Sequence, residues 1–85
     1  MAEFCWLDWN LAKIDNHSLS ADEVEFAWEH RTDFRQWDEP DPGVESYGRT
    51  PSGKWLKIIW RFNGWGDDDL VFVVTAYHVK KVPTG

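Results

Sequence analysis

The residues of this chain whose types could do chemistry form a loose basic set: Arg49, Lys57 and Arg61 in strand-like stretches, with Lys13 and His17 in a segment of helical spacing. Cleaving RNA without a metal needs cations to hold the scissile phosphate and a proton donor or acceptor beside it. Arg or Lys together with His or Tyr supply those groups. The inventory permits this chemistry without establishing it, and a solvated strand face is the simpler account of the same residues. Other chemistries find less support. His17, His30 and His78 lie far apart and Cys5 has no C-x-x-C mate, so no metal site is expected. Asp67-Asp68-Asp69 lacks the spaced oxygen ligands of a calcium loop and reads as the soluble tip of a hairpin. The stretch from Gly48 to Gly53 has no lysine at phosphate-loop spacing and no helix after it. No serine or cysteine sits in a nucleophile motif, and no cofactor is expected.

Whatever these residues do, a small sheet must position them. Lys54 to Phe62 alternates so that Leu56, Ile58, Trp60 and Phe62 share one face while Lys57 and Arg61 take the other. Leu70 to Tyr77 is denser in β-branched and aromatic residues, which predicts an inner strand with neighbours on both sides. Pro51-Ser52-Gly53 and Asn63-Gly64-Trp65-Gly66 are turn sequences, so Ser46 to Tyr77 reads as an antiparallel meander. Glu3 to Trp6 is expected to add an edge strand, and Phe34 and Trp37 a brief second one. The fold class is α+β: an antiparallel sheet of about four strands with two N-terminal helices on one face.

The first helix is expected from Trp9 to about Asn16 with Asp8 as its N-cap, and Leu11 and Ile14 on its apolar side. Ser20-Ala21-Asp22-Glu23 has the S-x-x-E form of a capping box and should start the second, whose buried face is Val24, Ala27 and Trp28. After Tyr77 no helical pattern remains, and a frayed end is expected.

The 85 residues predict a single domain with room for one core. A hydrophobic share of 42% excludes a disordered chain. The formal charge of −6 repels nucleic acid at long range unless the cations cluster on one surface. A single cysteine, with neither a signal peptide nor a long apolar span in view, makes a soluble cytoplasmic protein the expectation. Seven tryptophans are the compositional outlier. Most are expected in the core, with Trp55 on the wet strand face and Trp65 at a loop tip as candidate interface anchors.

The order of these segments resembles a known family. Phe4-Cys5-Trp6, Asn10-Leu11-Ala12-Lys13-Ile14, His17 and Glu23-Val24-Glu25 are similar to the opening of the BrnT-type toxins, with their F-x-W, N-L-x-x-I, H-G-V and E-E-V-E motifs. Gly48-Arg49-Thr50 with Gly53-Lys54-Trp55-Leu56, and then Val73-Val74-Thr75-Ala76, resemble that family's G-R-T, G-R-x-L and I-S-A strands. The resemblance implies a RelE-like fold, a metal-independent ribonuclease of a toxin–antitoxin pair, a cognate antitoxin as partner and RNA as substrate. It places His17, Arg49 and Thr75 at motif positions, on a sheet face that would meet RNA with Lys13, Lys57 and Arg61. Two positions depart from the pattern: Tyr77 stands where the family has arginine after S-A, and Ser18 where it has glycine after the histidine. They imply weakened or lost cleavage, with Tyr77 left to handle protons or hydrogen-bond the phosphate. The alternative is a catalytically inert protein-binding module on the same scaffold. The oligomeric state is left open by either reading.

Overall fold

A computed structural model describes residues 3–62 and 70–82. The elements run β1 (Glu3–Cys5), α1 (Asp8–Asp15), α2 (Ala21–Glu29), β2 (Thr32–Trp37), β3 (Gly43–Arg49), β4 (Trp55–Phe62) and β5 (Leu70–His78). They form an α+β structure around one five-stranded sheet of order β1-β5-β4-β3-β2. The sheet is mixed rather than antiparallel throughout: β1 pairs parallel to β5, with Phe4 opposite Val71, while the other pairings are antiparallel. The expectation of about four antiparallel strands is corrected in both number and direction. The parallel edge arises because the two helices carry the chain back across the sheet before β2 begins, leaving β1 free to flank the last strand.

The alternation in β4 is realised. Leu56, Ile58 and Trp60 are buried together with Val71, Val73 and Ala76 of β5, against Ile14, Leu19, Val24, Ala27 and Trp28. Phe62 departs from the expectation, being 48% exposed at the end of β4, where its ring stands edge-on to Trp60 at 5.1 Å. A bulge lets β5 follow the same face: Ile59 pairs with Thr75 but Trp60 with Val73, so Val74 is the extra residue and both Val73 and Ala76 point into the core.

The capping box starts α2 as its sequence indicates. Ser20 Oγ accepts from the Glu23 N–H at 3.2 Å, and Glu23 Oε1 accepts from the Ser20 N–H at 3.1 Å. For α1 the cap is corrected: Leu7, not Asp8, is the N-cap, and its N–H donates to Asn10 Oδ1 at 2.6 Å. Asn10 is fully buried because it has further work. Its Nδ2 donates to the carbonyls of Cys5 (3.1 Å) and Val73 (3.0 Å), bridging the end of β1 to β5 where strand pairing stops. A buried carbonyl without a donor is costly, and this amide supplies one in place of a further strand residue.

With its N-terminus fixed there, α1 straddles the edge of β5. Ile14 enters the core, while Trp9 contacts Phe72 at 5.4 Å and His17 contacts Tyr77 at 5.7 Å on the opposite face of the sheet. The first hairpin closes through Gly53 at φ 87°, with the Gly53 N–H donating to Thr50 O, as the Pro-Ser-Gly sequence indicates. The second turn, with Trp65 and Asp67 to Asp69, lies outside the described residues.

Candidate functional site

The face of the sheet away from α2 carries the side chains singled out by the sequence. Strand pairing arranges them in rows. Arg49 stands opposite Trp55, with its guanidinium 5.1 Å from the indole. In the next row Tyr47 pairs with Lys57, Lys57 with Tyr77, and His17 closes the row from the turn after α1 rather than from the helix itself. Then come Arg35 opposite Glu45, Glu45 opposite Ile59, and Ile59 opposite Thr75. The last row holds Trp37 opposite Gly43 and Arg61 opposite Phe72, with Trp9 of α1 against Phe72. Trp9 and Lys13 lie four residues apart on α1 and border the face, with the Lys13 ammonium 5.3 Å from the Trp9 ring, and His17 follows in the turn after the helix.

Cations therefore do collect on one surface despite the overall acidity. Arg35, Arg49, Lys57 and Arg61 stand on this face and Lys13 borders it, whereas α2 on the other side carries Asp22, Glu23, Glu25 and Glu29 with no base in its last turn. His17, Lys13 and Arg49 are exposed, and Lys57, Arg61, Thr75 and Tyr77 are half-buried. His17, Tyr77 and Lys57 form the closest grouping, with the Lys57 ammonium 5.8 Å from the Tyr77 ring. Arg49 and Arg61 flank it along the strands.

One part of the face was not foreseen. Glu45 is 3% exposed, on the open side, and its carboxylate accepts from Tyr47 Oη at 2.7 Å and Arg35 Nε at 2.8 Å, with Lys57 Nζ at 3.9 Å. Burial alone would raise its pKa. The Tyr47 and Arg35 hydrogen bonds and the charge of Lys57 outweigh that and hold the carboxyl below its ordinary 4.5. The same arrangement pushes Tyr47 up to about 12, through burial first and the Glu45 carboxylate second. Ionised Glu45 thus fixes Arg35 and draws on the charge of Lys57. The spacing of Glu45 and Tyr47, two residues apart on one strand face, was a readable signal, but the pairing with Arg35 depends on register.

Because the folded pKa of Glu45 is depressed, its stabilisation is complete above the ordinary carboxylate value of 4.5 and is lost as pH falls through the lower folded value. Glu45→Gln should therefore lose less stability than the natural chain when both are titrated from neutral pH to the acid side of that range by thermal melting. Equal acid losses would show that Glu45 is not held ionised by its neighbours.

Tryptophans divide between the two faces. Trp28 and Trp60 are buried and Trp6 packs against the core, but Trp9, Trp37 and Trp55 belong to the open face. The expectation that most tryptophans are core is thus met only by the first group, while the placing of Trp55 on the wet face holds. Trp65 lies outside the described residues. Among the described residues no three His, Cys, Asp or Glu side chains come together as a metal-binding group, and no helix is long and apolar enough to cross a membrane. No family model, curated protein or solved structure matches the chain.

Proposed function

We propose that this chain is a divergent BrnT-like toxin whose open sheet face binds single-stranded RNA and cleaves it weakly without a metal. The observation that carries this reading is the convergence of His17, Lys57 and Tyr77 in one row, with Arg49, Thr75, Arg61 and Lys13 around them, on a face that also presents aromatic rings. Cation and aromatic side chains interleaved on an open sheet suit a flexible strand with splayed bases. The backbone at Ser18 adds support: its φ of 60° is left-handed, the conformation favoured by the glycine that the family carries after its histidine.

In this reading Arg49 and Lys57 hold the scissile phosphate, and the His17 imidazole takes the proton of the attacking ribose 2′-OH. The 2′-oxygen forms a bond to phosphorus as the bond to the 5′-oxygen breaks, and that oxygen takes a proton from water or from protonated His17. Tyr77 donates a hydrogen bond to a phosphate oxygen. The site is weak for physical reasons. Tyr77 is neutral where the family has a cation, Lys57 shares its charge with Glu45, and Arg49 Nε and Nη2 already point to the Gly53 carbonyl at 3.4 Å. A cognate antitoxin is the expected protein partner.

Tyr77→Arg should raise cleavage of total bacterial RNA at low salt, since arginine both neutralises and hydrogen-bonds phosphate, and Arg49→Ala should abolish it in either background. Strong cleavage by the natural chain that survives Arg49→Ala would overturn this site. No cleavage by either form would favour the second reading, an inert protein-binding module. That reading draws on a cleft of about 390 Å³ between α1 and α2, floored by Leu11, Ile14 and Leu19 and edged by Asp8 and Asp15.

A further inference from the structure

A second cleft, of about 200 Å³, lies on the open face at the end of the sheet away from Arg49. Its floor is Ile59 of β4 with Phe72 and Val74 of β5, and Gly43 of β3 adjoins it. Its walls come from opposite sides. Trp9 arrives from α1, beyond the β5 edge, and Trp37 from β2, the far edge of the sheet. Arg61, Asp41 and Pro42 complete the lining.

None of the catalytic roles above uses this cleft. We propose that it seats one unstacked nucleobase of a single-stranded RNA between Trp9 and Trp37, an assignment that rests on the RNA-binding reading of the face.

Three observations carry it. The first is the pair of indoles facing the same cleft: Trp9 is 45% exposed and free to meet a ring, and Trp37 is half-buried on the other side. Every base has a flat π-face, so aromatic walls accept a base without regard to its identity. The second is that Trp37 is held in place. Its ring lies across Gly43 so closely that a Cβ there would stand 2.6 Å from Trp37 Cζ2, and Arg35 flanks the same ring at 5.8 Å. A wall fixed in this way accepts a ring with little ordering cost. The third is the polar lining. Arg61 offers donors only and Asp41 acceptors only, and the edge of each nucleobase mixes the two. A volume of about 200 Å³ suits one flat ring system better than a drug-sized ligand, for which clefts run ~300–1,000 Å³.

Position along the sheet links this seat to the phosphate-binding row. Lys57 and Arg61 are four residues apart on one face of β4, about 13 Å at a rise of ~3.3 Å per residue. A strand of RNA held at Lys57 and His17 can therefore run along β4 and place a neighbouring base in the cleft. The seat would set how the strand lies on the sheet, and Trp9 and Trp37 are positioning residues in that sense.

The test compares a hexamer of adenylate RNA with an abasic ribose-phosphate oligomer of the same length, titrated at low salt and followed by fluorescence anisotropy of a terminal dye. Both should bind, the RNA more tightly. Trp9→Leu and Trp37→Leu should each weaken RNA binding about fivefold or more, the equivalent of the ~1 kcal/mol lower bound for one stacked base. They should leave the abasic oligomer unchanged. Trp9→Phe, which keeps an aromatic face, should retain most of the affinity, and this comparison stands even if a leucine variant folds poorly. Gly43→Ala should act like Trp37→Leu, by pushing the indole off its bed. RNA binding that none of these variants alters would overturn the base seat while leaving the RNA-binding face intact. Equal weakening of RNA and abasic oligomer would overturn it too, since the tryptophans would then serve the face as a whole. Failure of the natural chain to bind either oligomer would overturn both readings.

Discussion

Trp60→Ala should cost about 3–5 kcal/mol, the range for truncating a buried large aromatic. The ring is 2% exposed and stands edge-on to Trp28, with centroids 5.1 Å apart. Arg31 lies over both indoles, 3.8 Å from the Trp28 ring and 4.7 Å from that of Trp60. Trp60 Nε1 donates to Ser46 Oγ at 2.8 Å, and that hydroxyl donates to Asp33 Oδ1 at 2.6 Å. Alanine therefore opens a cavity between sheet and α2, removes the partner of a buried hydroxyl and strips packing from a half-buried guanidinium. Small domains have only ~5–15 kcal/mol in total, so a large share of the stability goes. Urea unfolding should show a much lower midpoint with little change of slope. Trp60→Phe should fall between the two, because it keeps most of the volume and loses the hydrogen bond. A midpoint for Trp60→Ala close to that of the natural chain would mean that this face is not the core.

Gly48→Ala should destabilise by about 1–3 kcal/mol, although it adds a single methyl group. A Cβ at Gly48 would collide with the backbone carbonyl oxygen of Ala27. The neighbour is main chain, so no side-chain rotation can relieve the collision. Either α2 lifts from β3 or the strand shifts. Val24 and Ala27 are fully buried at this contact and Trp28 nearly so, so lifting the helix loosens the centre of the core. The glycine at the head of Gly48-Arg49-Thr50 thus has a packing cause that does not depend on any activity. Thermal melting of the alanine variant checks this, and an unchanged melting temperature would show that α2 does not sit at backbone contact with β3.

Local patterns in the sequence foretold local structure well. The period of two in β4 separates Leu56, Ile58 and Trp60 from Lys57 and Arg61, because one face of a strand must be dry and one residue's slip would reverse every side chain. Ser20 and Glu23 announce α2 because both partners of the cap lie within four residues. What depended on distant partners was less legible. The parallel pairing of Phe4 with Val71 joins the two ends of the chain, and no short-range pattern encodes it. Phe62 obeys the alternation yet lies exposed at the end of β4, since burial is decided by what lies above a strand and not by its phase. The cap at Leu7 was obscured because its acceptor comes from Asn10, a residue drawn inward to serve Cys5 and Val73.

The site was legible in part for the same reason. Strand phase puts Lys57 with Arg61 and Thr75 with Tyr77, and the register of β4 on β5 brings the two pairs to one face, with Arg49 and His17 beside them. Trp9 and Lys13 are a readable pair on α1, but only the seating of α1 at the sheet edge decides that they, and His17 in the turn after it, border the open face. Glu45, Tyr47 and Arg35 became a group only once the register of β2 on β3 was known.

The central claim is that RNA meets the open sheet face, and the indole N–H signals report on it directly. Single-stranded RNA titrated at low salt into nitrogen-15-labelled protein should move the indole resonances of Trp9, Trp37 and Trp55, which line that face. It should leave those of Trp28 and Trp60 in place, since both are buried where α2 packs on the opposite face of the sheet. Lys57→Ala combined with Arg49→Ala should suppress the shifts, and raising the salt should do the same. Shifts confined to residues of α2, or no shifts at RNA concentrations that saturate the anisotropy signal, would contradict the claim.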